Sequence, residues 1–147
     1  MKDFFYTSEI DFNKLKPIIQ KNKDKIIVFS SNDDKLNRKV LEKLSINILL
    51  INLENKKDFQ KQRNSGFNTV MAKIAKKKNI IIGINLDELI SSNNKSKLIS
   101  RLKQNIKLCK KNKLRMTFIQ TENKRNLHDL KSLGLILGMP TDMTKDI

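Results

Sequence analysis

Tryptophan is absent from this chain of 147 residues, and aromatic side chains make up only 5% of it, so its core has to be built from Ile and Leu. There is one cysteine, Cys109, which excludes an internal disulfide. The one histidine, His128, cannot by itself make the cluster of His and Asp ligands that metal-dependent hydrolases gather at strand ends. Four glycines leave neither a GxGxxG turn nor a GxxxxGK loop, which excludes the two common phosphate cradles. No apolar run approaches the ~20 residues that a membrane-spanning helix needs. The opening stretch, MKDFFYTSEIDF, carries acids and no small-residue cleavage site, so it does not read as a secretory signal.

Acid is also scarce. Fifteen Asp and Glu stand against 31 Lys and Arg, a net charge of +16. Self-repulsion of that size works against a compact state unless a polyanion neutralises it in use. Nucleic acid fits, because cations bound along a phosphate backbone release its condensed counterions. Nucleic acid is placed ahead of a merely solvated basic surface, the alternative reading of the same numbers. Length points to one domain over residues 1–147, and the cysteine usage to the cytoplasm.

Short apolar runs alternate with helical patterns. Strands are expected at FFY (4–6), IIVF (26–29), INILLI (46–51), IIIGI (80–84) and MTFIQ (116–120). Helices are expected over 11–20, with an irregular start because of Pro17, then over 35–44, 68–78, 97–112 and 126–137. In the helix over 68–78, the expected inward residues are Val70, Met71, Ile74 and Ala75. The helix over 97–112 has a stripe of Leu98, Leu102, Ile106 and Cys109, with Lys103, Lys107, Lys110 and Lys111 on another face. Residues 52–66 read as a loop, with room for a helical turn.

Strand-helix alternation predicts an α/β fold with a mostly parallel sheet of βα units. Its closure is either an open doubly wound sheet or a barrel-like one. A full (β/α)₈ barrel takes at least ~200 residues, so a barrel here would be shortened or incomplete. Asp33 and Asp34 follow a strand and could be catalytic carboxylates, but they also suit a helix cap. Asp87 and Glu88 sit where a helix would begin. Cys109 on an apolar stripe reads as core, and His128 as an ordinary helix residue.

The segment NSGFNTVMAKIAKKKNIIIGINLDELI resembles the archaeal and eukaryotic family of ribonuclease P protein component three, the thirty-kilodalton subunit. Ser65, Gly66, Asn68, Ala72, Lys73, Ile74, Ala75 and Gly83 fall on its glycine segment and following strand. FSSNDDKLNRKVLEKLSINILLIN, SRLKQNIKLCKKNKLRM and RNLHDLKSLGLILGM are similar to three further family segments in the same order. Thr69 stands where the family has a histidine, and TENKR replaces its serine-rich turn.

The resemblance implies a TIM-barrel-like fold related to metallohydrolases that has lost their ligands. It implies a subunit of a ribonucleoprotein endonuclease that removes the 5′ leader from precursor tRNA. The RNA is then the catalyst, with Mg²⁺ on the RNA and no cofactor or metal on this chain. Implied partners are ribonuclease P RNA and protein component two, with precursor tRNA contacted indirectly and no membrane. Carried over residue by residue, the RNA- or partner-binding positions are Lys35, Arg38, Arg63, Lys78, Lys111 and Arg125, with Ser65 and Gly66 as a turn and anion seat. No catalytic residue is expected. Two other functions remain open: a general α/β nucleic-acid-binding protein, and a stand-alone phosphodiesterase with metal bound around Asp33, Asp34 and Asp87.

Overall fold

The computed structural model describes residues 3–54 and 56–145; Asn55, inside the expected loop, lies outside them. Its five strands are β1 (Phe4–Thr7), β2 (Ile26–Ser30), β3 (Ile48–Ile51), β4 (Ile81–Asn85) and β5 (Met116–Ile119). All pair in parallel, and their order in the sheet is their order in the chain. Each strand is laid beside the one before it, always progressing the same way. A doubly wound sheet reverses direction at a switch point, whereas a barrel wall does not. The sheet is therefore an arc of a barrel wall, with β1 and β5 at its two ends.

The pleat sorts the side chains onto two faces. Ile27, Phe29, Leu49, Ile51, Ile82, Ile84, Met116 and Phe118 share the main core with the helices. The other face carries Val28, Ile48, Leu50 and Ile119, flanked by Ile26 and Ile81, and no helix residue joins that cluster. Helices thus cover one face, as crossovers of a single hand in sequential order require. Gly83 lies at the middle of the uncovered face. A Cβ there would meet Ile48 Cγ2 at 3.0 Å and Ile119 Cγ1 at 3.3 Å. The missing side chain lets the neighbours close over β4 and bury one another.

Around the arc run α1 (Phe12–Lys21), α2 (Asp34–Lys43), α3 (Thr69–Lys78), α4 (Leu86–Ser91), α5 (Lys95–Lys111), α6 (Leu127–Ile136) and α7 (Thr141–Thr144). Asp11 caps α1, which runs on through Pro17 because Leu15 and Ile19 are anchored in the core on either side. Asp33 caps α2, accepting from the N–H groups of Lys35 and Leu36. α3 is rotated from its expected face: Val70 is exposed, and Ala72 joins Met71 and Ala75 in the core. Small residues at 72 and 75 let this helix sit close to the sheet, which Val70 would prevent. Its terminal lysines have set tasks: Lys76 Nζ donates to the Lys113 carbonyl at 3.0 Å, and Lys78 Nζ to the Glu42 carbonyl at 2.8 Å. The expected stripe of α5 is fully buried, Cys109 included, and burial pushes the Cys109 thiol up to about 12. After α6 the chain turns at Gly138, with φ +103°, and adds α7, an element without a separate signal in the sequence. Among the described residues, no helix is long and apolar enough to cross a membrane.

Candidate nucleic-acid interface

Among its described residues the expected loop after β3 forms no helix or strand, yet its shape is fixed by α5. Arg101 is buried, and its guanidinium reaches across to the loop. Nη1 donates to the Leu53 carbonyl at 2.8 Å, while Nη2 donates to the Lys56 carbonyl at 2.6 Å and to Asp58 Oδ1 at 3.2 Å. One turn further along, Asn105 Nδ2 donates to the Ser65 carbonyl at 3.0 Å, and Gln104 Nε2 to Ser65 Oγ at 3.3 Å. Asp58 in turn accepts from the Asn64 N–H at 2.9 Å. That bond first, and the Arg101 guanidinium next, hold the Asp58 carboxyl below its ordinary pKa. A loop of polar residues is thereby held at both ends by three side chains of one helix.

Ser65 and Gly66 make the turn from this loop into α3. Gly66 has φ +71°, a left-handed conformation that favours glycine, and its N–H is taken by Asn64 Oδ1 at 3.0 Å. A Cβ on Gly66 would lie 2.9 Å from Lys56 Cε. Ser65 is buried and donates its hydroxyl to the Phe67 carbonyl. The pair is a tight turn with close backbone approach, and Asn68 rather than Gly66 caps α3.

The turn forms one wall of a groove of about 630 Å³ between α2, the loop, α3 and α5. Lys35, Arg38 and Arg63 line it together with Ser65 and Gly66. Thus five of the eight positions carried over from the resemblance converge on one surface. Arg38 pairs through Nε with Glu42 at 2.9 Å, an exposed contact that leaves the rest of its guanidinium accessible. Lys56 is tied to Asp34 at the groove's edge. Arg63 also lines a second, smaller hollow with Lys103 and Lys107, so the cationic surface continues along α5. The remaining three positions do not line the groove: Lys78 staples α3 to the end of α2, Lys111 closes α5, and Arg125 lies between β5 and α6.

Sequence reasoning missed Arg101, Gln104 and Asn105. Arg101 and Asn105 lie three and seven residues after Leu98, positions that belong to the inward face of a helix. Polar residues there were the available signal.

At the C-terminal ends of the strands, where barrels of this class carry catalytic groups, the four carboxylates singled out in the sequence are engaged in structure. Asp33 caps α2, Asp34 pairs with Lys56, and Glu88 is buried, accepting from the Leu53 N–H at 2.6 Å. Burial raises the Glu88 pKa above its ordinary value. Asp87 accepts from the N–H groups of Thr121 and Asn123, at 3.0 and 2.8 Å, and from the Thr121 hydroxyl. Among the described residues, no group of three or more His, Cys, Asp or Glu is placed to hold a metal ion.

The Asp87 clasp makes a pH prediction. Burial raises its pKa, but the Thr121 hydroxyl and the backbone N–H groups of residues 121–123 outweigh it and hold the carboxyl well below the ordinary range. A folded-state pKa below the unfolded value of about 3.9 means the stabilisation is complete above that pH and drains away below it. The expected result is a melting temperature that falls as acid is added below about pH 4. Asp87→Asn lowers the melting temperature at neutral pH and flattens the acid limb, which circular dichroism melts across pH will read.

Fold and surface together define a basic α/β protein on an arc of a parallel barrel, with a cationic groove at the edge of its helical layer. The model of the family described as RNase P subunit p30 matches residues 10–147, and the chain belongs to that family. Among solved structures, one chain of an assembly described as the cryo-EM structure of archaeal ribonuclease P with mature tRNA shares the fold, with a TM-score of 0.79 at 20% sequence identity. The match covers 98% of this chain and 63% of that one, so the present chain spans less than two thirds of its length.

Proposed function

We propose that this chain is a basic protein cofactor of ribonuclease P, the ribonucleoprotein that removes the 5′ leader from precursor tRNA. The observation that carries this reading is the convergence of Lys35, Arg38 and Arg63 on one groove in a member of this family. Cations so placed neutralise RNA phosphates and lower repulsion between RNA segments. Arg38 and Arg63 can fork two donors onto one phosphate, while Lys35 acts as a point charge. Cleavage is then the work of the RNA and the Mg²⁺ it holds. The protein partner is component two, the setting is the cytoplasm, and precursor tRNA is met through the complex.

Reconstitution tests this directly. Adding the chain and its partner subunits to the cognate RNA will lower the Mg²⁺ concentration needed for precursor-tRNA cleavage. An unchanged Mg²⁺ requirement, or affinity purification from the source cell without ribonuclease P RNA, counts against the proposal.

A further inference from the structure

The groove is not lined by charge alone. Phe59 stands at its rim with 62% of its surface exposed, in a chain whose aromatic content is 5%. It is held there: the Phe59 N–H donates to the Gln62 carbonyl at 2.8 Å, and the Gln62 N–H returns a bond to the Phe59 carbonyl at 3.3 Å. That reciprocal pair closes a tight turn, which Arg101 and Asp58 anchor from below. Met71 and Leu108 supply apolar surface deeper in the groove. Cations stand on two sides, Lys35 and Arg38 on α2 and Arg63 on the loop.

An exposed ring beside cations, over a partly apolar floor, is poorly matched to duplex RNA. A duplex keeps its bases stacked inside and offers a protein its phosphates and 2′-hydroxyls. Lysines alone would serve that purpose, and Phe59 would be left bare in water. An unpaired nucleotide offers both halves, a π-face to stack on and a phosphate on either side. The volume of about 630 Å³ lies within the range of small-ligand pockets, wide enough for one nucleotide and its flanking phosphates. From Arg63 the strand has a continuation over Lys103 and Lys107.

The geometry points to a binding site for an unpaired nucleotide of the RNA, with its base on Phe59 and its flanking phosphates on Arg63 and the α2 cations. This deepens the proposed function and rests on the reading of the groove as an RNA surface. It assigns to the loop a preference for single-stranded segments, bulges or ends over helical RNA.

The test compares a short labelled single-stranded RNA with the same strand annealed to its complement, by fluorescence anisotropy on the intact chain over a salt series. Phe59→Ala is expected to weaken single-strand binding about tenfold. It leaves duplex binding and the salt slope as they were. Phe59→Leu, which keeps bulk without the π-face, gives most of the same loss and guards against a packing effect. Three results overturn the site: no change in either variant, an equal loss for duplex and single strand, or poly-glutamate competing as well as RNA, which would make the groove a dock for an acidic protein. The two levels fail separately. A chain that purifies without ribonuclease P RNA yet loses single-strand binding in Phe59→Ala retains the site and loses the ribonuclease P reading.

Discussion

Arg101→Ala lowers the melting temperature by about 10 °C, the largest loss expected from any single change around the groove. The figure follows from about 3 kcal/mol for removing a buried, hydrogen-bonded charge that satisfies two backbone carbonyls. Arg101 is 4% exposed, so solvent does little to screen those bonds. Asp58 adds little to the total because it is largely exposed. Once the guanidinium is gone, the Leu53 and Lys56 carbonyls lose their donors, and the segment from Lys56 to Asp58 loses its tie to α5. Limited proteolysis reads the same event locally, with cleavage within residues 56–63 appearing well below the melting temperature. Arg101→Lys keeps the charge but supplies no fork, and recovers only part of the loss. Wild-type melting in Arg101→Ala would mean that the loop is held by something other than this side chain.

Replacing Lys35, Arg38 and Arg63 together by alanine should leave folding intact and reduce RNA binding steeply. All three are exposed, and none is bonded to the core. Each phosphate contact contributes about 0.7 to 0.9 to the slope of log affinity against log salt. Removing three lowers that slope by roughly two, and the weakening is greatest at low salt. The measurement is a binding titration repeated across a salt series. A mutant with the wild-type slope would show that the convergence of these side chains has no bearing on phosphate. Single substitutions rank the three: Arg63, shared by the groove and two neighbouring hollows, is expected to cost the most.

How far the sequence foretold these features depended on what each signal measures. Period-two and period-3.6 patterns report which face is buried, so the five strands and the stripe of α5 were legible in it. They say nothing about the direction in which strands add, so they fit both closures of the sheet, and the sequential strand order decides between them. The same patterns mistook Val70 for core, because the close approach of α3 is set by Ala72 and Ala75, and alanine weighs little in a search for large apolar residues. Pro17 suggested irregularity, but burial of Leu15 and Ile19 outweighs one lost backbone bond. α7 left no separate mark, since four residues are too few for a period.

For the groove, the basic positions were named from family likeness, and their meeting place was not legible. Residues 35, 38 and 63 come together because the loop is folded back by hydrogen bonds from α5; polar residues on that helix's inward face hint at such bonds, but the sequence does not say which backbone carbonyls they reach. The lysines ending α3 were legible as charge but not as staples to Glu42 and Lys113.

The bonds that shape this loop join residues far apart in the chain: Arg101 to Leu53 across 48 positions, and Asn105 to Ser65 across 40. During synthesis the loop therefore leaves the ribosome long before the helix that will shape it. The first three strands can begin to pair before the side chains that shape this loop exist. Closure-dependent assembly of this kind makes the groove a late product of folding, complete only after the turn that carries Asn105 has emerged.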